Sequence, residues 1–204
     1  MSRTGRLAAG LIVGLQLAYA IVLAMGLMAL PSADVPIPDP YFTAMELLIL
    51  LIAPLLVVLM AALHDAVPEE RKLFSLCALV FMAMCAALTS LVHFLVLTVS
   101  RLLPGDWESV FAFRWPSVAY AADILAWDVF FALSVLSAAR VFRAPGLSRW
   151  TGQVLLVSGV LSLLGLLGVA TGEMQVRNIG IVGYAVVFPV AALMMRRVFS
   201  SQNF

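Results

Sequence analysis

Charge is what this sequence has least of. Asp, Glu, Lys and Arg make up 11% of its 204 residues, against roughly 25% in a typical soluble domain. With 64% hydrophobic residues and a mean hydropathy of +1.09, that scarcity excludes an ordinary soluble fold and indicates a polytopic membrane protein. The net charge is only +1 and no basic cluster stands out along the chain, so nothing points to a nucleic-acid partner. Cysteine is scarce too. Cys77 and Cys85 are the only two, and on one helix they stand about 12 Å apart along the axis, too far for a mutual disulfide. Gly-rich phosphate loops, Ser-His-Asp constellations and Cys-x-x-Cys pairs are missing, as are internal repeats and any separate soluble domain. The sequence therefore names no reaction and no cofactor, and leaves open whether the protein is an enzyme.

Long apolar runs are what the sequence has instead. They predict an all-α membrane protein, a single bundle of six transmembrane helices over residues 7–30, 42–63, 73–99, 117–141, 151–171 and 179–198. The first run is longer than the roughly 7–15 apolar residues of a signal peptide and lacks a cleavage site, so it reads as a retained helix. Pro31, Pro36, Pro38 and Pro40 predict an extended connection after it, and Pro54 and Pro189 predict kinks in the second and sixth helices. Pro104 and Gly105 predict a turn, followed by an interfacial segment carrying Trp107, Val110, Phe111 and Phe113.

Orientation follows from the basic residues. With the N-terminus in the cytoplasm, the inside segments hold Arg3, Arg6, Arg71, Lys72, Arg140, Arg143, Arg149, Arg196 and Arg197, and the outside segments only Arg101, Arg114 and Arg177. The positive-inside rule then places both termini in the cytoplasm and the protein, as a multi-pass component, in the cytoplasmic (inner) membrane.

Within the spans, a few ionisable residues break the apolar pattern. Asp123 and Asp128 lie inside the fourth helix, where a charge costs at least ~2.5–3.5 kcal/mol on insertion scales and marks a functional site by default. Counting 1.5 Å per residue, Glu46, His93, Asp123 and Tyr184 share a level about 7–9 Å below the outer ends of four different helices, with Asp128 deeper at about 16 Å. This predicts an acid/histidine cluster in the extracytoplasmic half. At the α-helical period Asp128 is rotated by about 140° from Asp123, so the two aspartates are expected to meet different neighbours.

Each residue also has a plain structural reading. Glu46 can reach the headgroups, with Thr43 beside it. His93 can bond a backbone carbonyl or Ser90, Asp123 can pair with Arg114 or Arg177 at the rim, and Asp128 can donate one hydrogen bond as a neutral acid. As a site, the cluster suits a proton, a cation or a small amphiphile, a metal ion held by imidazole and carboxylates, or acid/base catalysis on a lipid. The competing reading is a non-catalytic subunit whose intramembrane aspartates pair with another membrane protein. A haem between two histidines is excluded, because His64 and His93 fall on opposite sides of the membrane, and Pro54 and Pro189 do not correspond in the manner of an inverted-repeat transporter.

The runs MELLILLIAPLLVVLMAALH, LTSLVHF, RWPSVAYAADILAWDVFF and NIGIVGYAVVFPV resemble small six-helix bacterial membrane proteins of an uncharacterised family. The likeness covers most of the helices and includes Glu46, His93, Asp123, Asp128 and Tyr184. It implies a six-helix fold, and it brings no named activity and no residue roles.

Overall fold

The computed structural model describes residues 2–32, 35–103, 107–201 and 204. Among them there is no strand, and six helices are long and apolar enough to cross a membrane: α1 (Arg3–Met28), α2 (Tyr41–Ala66), α3 (Glu69–Arg101), α4 (Val118–Ala139), α5 (Leu147–Thr171) and α6 (Met174–Ser201). Helices satisfy their own backbone polar groups, which a hydrocarbon environment demands. Leu17, Ile21, Leu51, Leu73, Leu91 and Val118 point outward and are more than half exposed, as a surface in contact with lipid requires. The Pro104-Gly105 turn lies outside the described residues. The segment after it contains a single short helix, Glu108–Phe111.

Each helix packs on its sequence neighbours and α1 closes on α6, so the bundle is a ring in chain order with both ends of the chain at one end. Its centre is filled by Ile12, Leu56, Leu59, Met60, Met82, Phe131, Phe188 and Met195. At the termini end the α2–α3 turn is held by its own polar residues. Lys72 Nζ donates to the His64 carbonyl at 2.6 Å, at the C-terminus of α2 where a cation is favoured, and Arg71 Nη1 donates to the Val141 carbonyl at 2.8 Å. Helix α5 begins at Leu147, earlier than the apolar run predicts, because Gly146 turns the chain with φ 79° and Ser148 and Thr151 are buried against the bundle.

Two helices depart from the α period. In α4, residues Leu125–Phe131 form a π-helical segment, and in α6 so do Gly183–Val187. The second has a visible cause. In a π turn the bonds run from i+5 to i, and the N–H of Phe188 bonds the Gly183 carbonyl. The next donor in that register would be residue 189, a proline without an N–H. The Tyr184 carbonyl is thereby freed, and Gln16 Nε2 of α1 supplies its hydrogen bond at 3.2 Å, while Ser158 Oγ of α5 donates to Gly183 at 2.9 Å. Replacing Gln16 by leucine, similar in size, is expected to leave that carbonyl unpaired and lower stability by about 1–3 kcal/mol. Thermal unfolding of the two proteins in one detergent would measure it, and equal midpoints would contradict the assignment.

Candidate functional site

The π turn of α4 sets the geometry of the acids. Stacking residues five apart, it brings Asp123 and Asp128 to one partner. Arg177 Nη2 lies 3.1 Å from Asp123 Oδ2, and Arg177 Nε lies 3.0 Å from Asp128 Oδ2. This corrects the expectation of separate neighbours, which assumed an unbroken α period. Arg177 closes the 3-10 turn Met174–Arg177 that opens α6, only 3% exposed, with its guanidinium 4.6 Å from the centre of the Tyr120 ring.

The chain of charges continues on the other side of Asp123. Its Oδ1 stands 3.6 Å from His93 Nε2, just beyond hydrogen-bond length, while His93 Nδ1 lies 2.8 Å from Glu46 Oε2. The His93 ring also stacks on Phe113 at 5.1 Å. Glu46, His93, Asp123, Arg177 and Asp128, from α2, α3, α4 and α6, thus form one row of alternating acids and bases. With all three carboxyl groups ionised, one guanidinium would leave the row two positive charges short, and an imidazolium at His93 would halve that deficit.

Burial separates the structural readings from the arrangement observed. Glu46 is 4% exposed and turns inward instead of reaching for headgroups. Its expected companion Thr43 turns away, donating to Asp39 Oδ1 at 2.6 Å and accepting from Arg101 Nη2 at 2.9 Å. That hydrogen bond from Thr43, reinforced by Arg101, holds the exposed Asp39 carboxyl below its ordinary range at the mouth of α2. His93 pairs with Glu46 rather than Ser90, and Arg114 pairs with Glu108, leaving Arg177 as the partner of Asp123. Phe42, Phe111 and Phe113 pack with Val92, Val96 and Ala119 beside the cluster.

Tyr184 packs against the apolar core, its ring 5.0 Å from Trp127 and 6.1 Å from Phe131. Asp128 is wholly buried in a cradle of glycine backbone: a Cβ at Gly180 would come within 2.7 Å of its Oδ1, and one at Gly165 within 3.1 Å. Asp128 Oδ1 and His93 Nε2 have no hydrogen-bond partner among the described residues.

Sequence reasoning underrated Arg177, reading it as a rim residue of a short turn. Its signal was present: it is the only basic residue between the apolar runs 151–171 and 179–198, close in level to acids that need a cation. The metal reading finds no support in the geometry. Among the described residues no three His, Cys, Asp or Glu side chains are grouped to hold an ion, and the aspartates are engaged by Arg177.

Among known proteins, no family, curated sequence or solved structure matches this chain.

Proposed function

We propose that this chain is a multi-pass protein of the bacterial inner membrane that takes up a proton or a small cation at the row Glu46–His93–Asp123–Arg177–Asp128. Both termini lie in the cytoplasm in this reading, and the row lies in the extracytoplasmic half of the bundle. The observation that carries the proposal is a buried row in which acids outnumber bases: three carboxyl groups, one guanidinium and an imidazole between two of the acids, a charge deficit wherever all three acids are ionised. A proton on His93, or a cation near Asp123, offsets that deficit. Direct contact among the groups suits a proton or small ion better than an amphiphile. Support for the orientation is the excess of Lys and Arg at the end where the termini meet. Pairing of both aspartates within the chain weighs against the reading of a subunit that offers them to another protein.

Difference infrared spectroscopy in lipid nanodiscs tests the proposal, comparing mildly acid with alkaline solution and then sodium with potassium at fixed pH. Imidazole and carboxyl bands that change with pH or cation, and that disappear in His93→Gln and Asp123→Asn, are the expected result. Bands that persist unchanged in both variants, or a wild-type spectrum indifferent to pH and cation alike, would overturn it.

A further inference from the structure

We infer that the termini end of the bundle carries a binding site for the phosphate headgroup of an anionic phospholipid, between α1 and α6 and independent of the buried row. Arg3, Arg6, Leu7 and Gly10 recur at helical spacing and share one face of α1, and Arg196 and Ser200 do so on α6. The two helices approach closely there. Gly5 lies under the Phe199 ring, and a Cβ at Gly10 would stand 3.7 Å from the Arg196 guanidinium. Between them is a cleft lined by Arg3, Arg6, Leu7, Arg196 and Ser200.

The cleft gathers positive charge without answering it. Arg101, Arg114 and Arg177 each have a carboxylate within ion-pair distance, but among the described residues none is paired with Arg3, Arg6 or Arg196. Guanidiniums repel one another unless an anion sits between them, and their planar forks match the oxygens of a phosphate. The apolar side of the cleft points to a lipid as the source of that phosphate. Leu7 is 58% exposed and Leu11, one turn further into the span, 54%. A headgroup held by the arginines would leave an acyl chain lying along this face of α1. The excess of basic residues at this end also suits a leaflet rich in anionic lipid.

Native mass spectrometry of the delipidated protein tests the site, with phosphatidylglycerol, phosphatidylcholine or inorganic phosphate added in turn. The expected result is a single phosphatidylglycerol adduct that outlasts the phosphatidylcholine adducts and is weakened on the order of tenfold or more in Arg6→Gln/Arg196→Gln. Arg143→Gln, a basic residue at the same end whose Nε is engaged by the Arg140 carbonyl, should keep the adduct. Should the double variant fail to fold, Arg3→Gln/Arg6→Gln, confined to the exposed face of α1, takes its place. Equal retention of phosphatidylcholine, equal loss in Arg143→Gln, or binding of inorganic phosphate without preference for the lipid would each overturn the inference.

Discussion

Replacing Arg177 by glutamine is expected to destabilise the folded protein by about 3–5 kcal/mol, the range for breaking a buried ion pair by removing one partner. The penalty arises because two carboxylates depend on the same guanidinium. Asp123 is 8% exposed and Asp128 not at all, and their contacts to Arg177 measure 3.1 and 3.0 Å. Without the arginine Asp128 is left buried with no cation and Asp123 with only the His93 ring at 3.6 Å, and neither can turn to solvent. A combined variant, Arg177→Met/Asp123→Asn/Asp128→Asn, removes the charges together and is expected to recover most of the loss, since well-packed neutral groups often substitute for a buried ionic triad at little cost. Unfolding midpoints of wild type, single and triple variants in one detergent would decide the matter. A single variant as stable as wild type would mean that Arg177 does not neutralise these aspartates.

Gly180→Ala is expected to cost about 1–3 kcal/mol even though alanine is the better helix former. The added methyl would lie 2.7 Å from Asp128 Oδ1, 3.1 Å from the Gly165 Cα and 3.2 Å from the Ser162 carbonyl oxygen. The carboxylate cannot move aside without loosening its bond to Arg177, and the other two neighbours are backbone. Either the ion pair or the close approach of α5 and α6 must give way. Gly14→Ala is the control, because nothing lies within 4 Å of its added Cβ; there the higher helix propensity should stabilise by up to about 1 kcal/mol. If both substitutions shift the unfolding midpoint in the same direction, the glycine cradle around Asp128 is not a packing requirement.

The outline of the fold was legible because apolar runs of span length are a local property. Leu7–Leu30 or Phe42–Leu63 announce a membrane helix without reference to anything else in the chain. The level of the polar groups was legible for the same reason: rise per residue alone places Glu46, His93 and Asp123 at one depth, and in the structure His93 meets both acids. Facing was not so readily read. The separation of Asp123 from Asp128 assumes an α period that α4 abandons at Leu125, and nothing in the sequence of α4 marks that change. In α6 the mark exists, since Pro189 removes the donor that the π turn would need, but its consequence appears only when Gln16 is seen to fill the gap.

By itself, then, the sequence determined a six-helix apolar architecture, the shared level of Glu46, His93 and Asp123 along their helices and the scarcity of any catalytic motif, all of which follow from local composition and helical rise. Tertiary structure alone decided the order of the ring, the pairing of both aspartates with Arg177, the inward turn of Glu46 and the meeting of arginines from opposite ends of the chain. Those depend on helix rotation and on contacts between residues as distant as Gln16 and Tyr184. A π turn of a few residues is enough to change such contacts without altering the hydropathy of a span.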